Sequence, residues 1–260
     1  PLTMAFREEM TRIEKARTMP HRALAKKDRL ALTVKAKAEL GSVAEKIRDA
    51  TALDTIAWLS SWLLQTNNNS RYGEVDFSQF EKRAGRDLAE AVRTGFARLW
   101  RTREPTFKED EPNSTYHITA AGLQGLHMEL SKGESLPNLS PDEVRQAIRY
   151  GAFEINGYPD WFWALVSAHQ EIASRELEKI ANAAGDGAVS RAHAENLFSA
   201  LDDAPQSIRD RLAPSAWNAL KVEGANGQAY IVGKMLRATK ATLNNRKAID
   251  QAVVWGSHWI

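Results

Sequence analysis

The chain has 260 residues, 43% of them hydrophobic and 26% charged, which is the balance of a globular chain and not of a disordered one. Thirty-five Lys and Arg against 33 Asp and Glu leave a net charge of +2, so no polyanionic partner is demanded. Cysteine is absent, which excludes disulfides, thiolate nucleophiles, iron–sulfur clusters and cysteine-bearing zinc sites in this chain.

Length allows one or two domains, and no apolar run approaches the roughly eighteen residues of a membrane span. The chain opens Pro1-Leu2-Thr3, and Arg7, Glu8, Glu9 and Arg12 interrupt any signal peptide. It closes on the apolar Val254-Trp255-Gly256-Ser257-His258-Trp259-Ile260. Both ends read as cuts in a longer protein or, equally, as a processed Met and a docked terminal helix. The Asn-x-Ser/Thr triplets at Asn68, Asn113 and Asn138 read as chance matches, and the cytoplasm is the expected compartment.

Helical periodicity dominates the chain. A first stripe runs from Arg22 to Leu40 through Leu24, Leu30 and Val34. Gly41-Ser42 breaks it, and Ser42 with Glu45 has the form of a capping box opening one helix from Val43 to Leu63. A polar loop, Gln65–Ser70, precedes a third helix from about Phe77 to Arg103, in which Gly85 and Gly95 are candidates for close helix contacts. Glu104-Pro105 and Glu111-Pro112 bound an acidic stretch that no helix can cross. This divides the chain into a basic helical subdomain over 1–104, a linker over 105–113 and a helical-hairpin subdomain over 114–260.

Thr119 to Leu130 predicts a short helix that closes near Gly133. Ser140-Pro141-Asp142-Glu143 is the strongest helix start in the chain, with Ser as cap, Pro in the first turn and Glu completing the box. That helix stops at Asn156-Gly157 before Pro159. Pro159-Asp160 opens an aromatic helix, Trp161-Phe162-Trp163, expected to continue past His169 to Ile180. Gly185-Asp186-Gly187 is read as a turn, followed by helices near 190–202, 205–222, 227–243 and 246–256, with Pro205 and Pro214 near helix starts. No segment alternates as a strand does. The expected fold is all-α: stacked antiparallel helical hairpins, either an irregular solenoid or a bundle.

Catalytic signatures are sparse. Neither G-x-x-x-x-G-K-S/T nor G-x-G-x-x-G nor G-x-S-x-G occurs, so no nucleotide cofactor and no nucleophile elbow are expected. The six histidines (His21, His117, His127, His169, His193 and His258) form no H-E-x-x-H. His193-Ala194-Glu195 matches half of a zinc deaminase signature whose other half needs cysteine. Adjacent carboxylates such as Asp202-Asp203 read as solvated surface. No metal, cofactor or catalytic residue is assigned, although an enzyme with a dispersed site stays open as an alternative.

Two surfaces are candidates for partners. Arg22, Lys26, Lys27, Arg29, Lys35 and Lys37 on the first helix, with Arg93, Arg98, Arg101 and Arg103 ending the third, suit phosphate contacts or simply a solvated helix. Among the eight tryptophans, Trp58 and Trp62 lie four apart and read as core. Trp161 and Trp163 lie two apart, so one is expected near the rim, where it would suit a protein partner.

Residues 139–177 resemble the helical repeats that follow the ATPase module of large bacterial NACHT/STAND proteins. The matching positions are Arg149, Tyr150, Glu154, Asn156, Pro159, Trp161, Phe162, Leu165, His169 and Glu171, with Gln170 where the pattern has proline. The resemblance implies a non-catalytic sensor segment of an antiviral defence protein, recognising a phage protein and triggering oligomerisation. Beside it stand a basic nucleic-acid-binding module and the dispersed enzyme.

Overall fold

A computed structural model describes residues 34–66, 71–106, 115–133, 136–154, 156–185, 191–201 and 203–223. Among these residues the regular structure is helical, with no strand, as the periodicity predicts. It divides into two units, Pro1–Arg103 with Tyr116–Glu129, and Glu104–Thr115 with Leu130–Ile260. The acidic break at residue 104 coincides with a unit boundary. The helix after it nevertheless returns to the first unit instead of opening the second.

In the first unit, α1 (Val34–Ser42), α2 (Ala44–Arg48), α3 (Leu53–Thr66), α4 (Phe77–Ala84), α5 (Arg86–Thr102) and α6 (His117–Leu130) follow in order. Helix α5 is its axis and packs against α2, α3 and α4. Trp58, Trp62, Phe80 and Phe96 are buried around it, so the core reading of both tryptophans holds. Trp62 meets Phe80 edge-on with ring centroids 5.5 Å apart.

Two expected long helices are each split. The Ser42–Glu45 capping box does not form, because the Ser42 hydroxyl donates back to Glu39 O at 2.7 Å. Val43 takes the cap position of α2 and makes no side-chain bond. Helix α2 then closes on Ala50, a non-glycine residue at φ 56°, with the Thr51 N–H donating to Lys46 O at 2.9 Å. The Phe77–Arg103 stripe breaks at Gly85, whose φ of 96° belongs to no helix. Asp76 caps α4 by accepting the Ser78 N–H at 3.1 Å. Gly95 does mark a close contact: a Cβ there would stand 2.1 Å from Ile47 O of α2. On α6, a Cβ at Gly125 would stand 2.3 Å from Phe96 O of α5. Both crossings need glycine for space, whereas Gly85 is needed for its torsion.

The second unit holds a 3₁₀ turn (Leu136–Asn138), α7 (Pro141–Ala152), α8 (Trp161–Ala168), α9 (Gln170–Gly185), α10 (Arg191–Ala200) and α11 (Gln206–Glu223). Helix α9 is its axis, packing most extensively on α11 and then on α7. The α7 capping box forms as read: Glu143 N–H donates to Ser140 Oγ at 3.3 Å and Ser140 N–H to Glu143 Oε2 at 2.9 Å. The aromatic helix does not run through His169, which leaves helical torsions at φ −128° and ψ 44°. Pro214 lies inside α11 instead of near its start. Its missing N–H costs one ladder bond, and burial of Ile208, Leu212, Ala213 and Ser215 along α11 keeps the helix intact around it. The helix expected from Arg22 is described only from residue 34, and the 186–187 part of the expected turn and the helices near 227–243 and 246–256 lie outside the described residues.

Candidate functional site

The stretch from Arg149 to Glu171 folds as helix, turn and helix, and its side chains are best followed from the end of α7. Phe153 and Glu154 N–H groups donate to Tyr150 O and Gly151 O, closing the helix. Glu154 is fully buried. Its Oε1 accepts the Asn156 N–H at 3.4 Å, and its backbone carbonyl accepts Asn196 Nδ2 at 2.5 Å. The Asn156 N–H thus gives the buried carboxyl a donor, while the main-chain bond from Asn196 ties the turn to α10. Gly157 at φ 100° reverses the chain, and Pro159 O accepts the Phe162 N–H at 2.9 Å to start α8.

Around this turn the aromatic rings close on one another. Tyr158 lies 4.1 Å from Phe162 and 5.8 Å from Trp163, centroid to centroid, and Trp163 meets Phe162 edge-on. Gly151 makes room on α7, since a Cβ there would stand 2.5 Å from the Phe162 ring. Burial pushes the Tyr158 phenol well above its ordinary range. On the far side, the His169 ring donates from Nε2 to Leu136 O at 2.6 Å, holding the α8–α9 junction to the 3₁₀ turn.

A charged cluster flanks the corner. Arg149 donates from Nε to Glu176 Oε2 at 3.1 Å and from its fork to Glu104 Oε1 at 2.6 Å. Lys179 Nζ donates to Glu176 Oε1 at 2.6 Å. The Glu176 side chain is only 3% exposed. Its burial works against ionisation, but the bonds from Lys179 and Arg149 prevail and hold its carboxyl below the usual range. Burial likewise works against the Arg149 charge, and its two carboxylate partners raise its pKa on balance.

Of the two candidate protein anchors, Trp161 is buried to 3% exposure and belongs to the core. Trp163 is half-buried and keeps a share of surface beside exposed Ala164 and Ser167. The rim position expected for one of the pair therefore falls to Trp163. Among the candidate phosphate contacts, Arg22, Lys26, Lys27 and Arg29 lie outside the described residues, as does the side chain of Lys35; Lys37 is exposed. The α5 cluster is largely engaged. Arg93 pairs with Glu81 at 2.5 Å, Arg98 with Asp49 at 2.7 Å, and Arg101 with Glu129 at 2.7 Å. A basic helix end neutralised by its own neighbours offers little to a phosphate. Among the described residues, no group of three or more His, Asp or Glu is arranged to hold a metal ion, and no helix is long and apolar enough to cross a membrane.

Sequence reading missed the Arg149–Glu176–Lys179 cluster and the His169 tie. The i,i+3 spacing of Glu176 and Lys179 was the one local signal available. The pairing of Arg149 across 27 residues had none. No family model, curated protein or solved structure matches this chain.

Proposed function

We propose that this chain is a helical scaffold or sensor segment of a larger bacterial NACHT/STAND-type ATPase of antiviral defence, working in the cytoplasm and binding a partner protein. In this reading its hairpins stack as an irregular solenoid, and nucleotide chemistry belongs to another part of the protein. One observation supports it above the rest: the residues that carry the resemblance act as packing and turn residues. Tyr150, Glu154, Pro159, Trp161, Phe162 and Leu165 are buried, and Glu154 and Asn156 shape the turn between the two helices. A repeat motif is expected to encode such a corner, because each repeat buries one face on its neighbour and leaves the other for recognition. On the other face Trp163 is the candidate anchor, a half-buried aromatic side chain packed beside Tyr158 and Phe162.

The test is the coding sequence on either side of this segment. An in-frame phosphate-binding loop, G-x-x-x-x-G-K-S/T, upstream of Pro1 would support the reading. A frame followed to both its ends that encodes no nucleotide-binding module would refute it.

A further inference from the structure

The turn between α7 and α8 carries the dipeptide Asn156-Gly157. Asn156 is exposed and lies outside any helix, and its backbone N–H donates to Glu154 Oε1 at 3.4 Å. Gly157 sits at φ 100°, a torsion that residues with side chains rarely adopt. We propose that Asn156 is a site of spontaneous deamidation, and that its product loosens the turn holding Tyr158, Pro159 and Trp161.

The reaction needs only water and a solvent base. The Gly157 backbone nitrogen gives up its proton and attacks Cγ of Asn156. The new N–Cγ bond closes a succinimide ring as the Cγ–Nδ2 bond breaks, and the departing nitrogen takes a proton from water to leave as ammonia. Water then adds to one of the two ring carbonyls and the ring opens. Addition at Cγ gives aspartate. Addition at the main-chain carbonyl gives isoaspartate, in which the backbone runs through the former side chain. Glycine is the most permissive following residue, because no Cβ crowds the approach of its nitrogen.

Other described asparagines lack this combination. Asn138 lies in the 3₁₀ turn and precedes Leu139, while Asn182, Asn196 and Asn218 lie within helices, each before a residue bearing a side chain. Helical torsions hold the next nitrogen away from the carboxamide, and Asn196 also donates its Nδ2 to Glu154 O. The consequence at Asn156 follows from its neighbour. Aspartate there puts a negative charge beside the fully buried Glu154 side chain, whose Oε1 accepts the residue 156 N–H. Isoaspartate lengthens the backbone where Gly157 already makes a tight reversal.

The experiment ages the whole chain in mildly alkaline buffer at physiological temperature, both folded and in urea, and follows the tryptic peptide Tyr150–Arg175 by mass spectrometry. The peptide carrying Asn226-Gly227 reports that the conditions support the chemistry. The folded chain should convert Asn156 at a rate of the same order as the unfolded chain, ahead of Asn138, Asn182 and Asn196, with isoaspartate in excess. Asn156→Gln should abolish the mass gain. Conversion of Asn156 in urea but not in the folded chain would overturn the proposal. Asn156→Asp should melt at a lower temperature than the parent, and an unchanged melting temperature in both this variant and the aged protein would overturn the claimed effect on the turn.

Discussion

Replacing Gly95 by Ala sets two opposed effects against each other, and the structure decides which wins. In an open helix the change stabilises by about 1 kcal/mol, because Ala restricts the unfolded chain and favours helix. At residue 95 the added Cβ would lie 2.1 Å from Ile47 O and 2.9 Å from the Ile47 carbonyl carbon. An ordinary carbon–oxygen contact begins at about 3.3 Å, so α2 and α5 must part by roughly 1.2 Å. Both clashing atoms are backbone, and no rotamer change relieves them. Overpacking costs about 1–3 kcal/mol or somewhat more, and a backbone clash belongs at the upper end, so the net loss should be about 2 kcal/mol. Gly41 is the internal control: it lies in α1 with nothing within 4 Å of its would-be Cβ, so Gly41→Ala should gain about 0.5–1 kcal/mol. Urea titrations followed by circular dichroism measure both, read as midpoint shifts at constant slope. A neutral or stabilising Gly95→Ala beside a stabilising Gly41→Ala would show that the α2–α5 crossing is not as close as described.

Four further outcomes are expected. Ala50→Gly should stabilise by about 0.5–1 kcal/mol in the same titration, because Ala50 closes α2 at φ 56° where a Cβ is strained. Glu176→Gln should destabilise by about 1–2 kcal/mol, a figure kept low because Arg149 and Lys179 reach solvent. Since the Glu176 carboxyl is held below its ordinary range in the folded state, its contribution is present above the unfolded carboxylate pKa and disappears as pH falls through the folded one. Acid titrations of parent and Glu176→Gln should therefore converge below that range, and parallel curves would refute the assignment. Trp161→Ala should cost about 3–5 kcal/mol as a core truncation, and Trp163→Ala visibly less; equal melting losses would contradict the difference in burial.

Element type was legible in the sequence wherever the signal was local. The α7 start was read residue by residue because its cap, its proline and its reciprocal bond all lie within Ser140–Glu143. Helix ends were less legible, for reasons that differ by position. Gly41-Ser42 looked like a break, yet α1 runs through both and breaks at Val43. The interruption at Asp49–Ala52 carries neither Gly nor Pro, and Ala50 takes the left-handed torsion without announcing it. At His169 the side chain bonds a carbonyl 33 residues away, which no window on the sequence can see. Pro214 misled in the opposite direction: propensity alone would end a helix there, but the buried residues around it hold α11 together.

The same distinction governs the candidate site. Pattern alone could pair Trp161 with Trp163 and assign one to the rim, because residues two apart cannot share the centre of a helical stripe. It could not say which, since the answer depends on Gly151 admitting the Phe162 ring against α7, which fixes how α8 is turned. With that rotation set, Trp161 is drawn into the core and Trp163 is left half-covered by Tyr158 and Phe162. The basic α5 end shows the converse. Counting charges marks Arg93, Arg98 and Arg101 as a surface for phosphates, but their partners Glu81, Asp49 and Glu129 come from three other places in the chain. A charge cluster is a property of sequence, whereas an available charge is a property of the fold. By that standard the half-buried tryptophan at residue 163 is a stronger recognition candidate than the basic helix end.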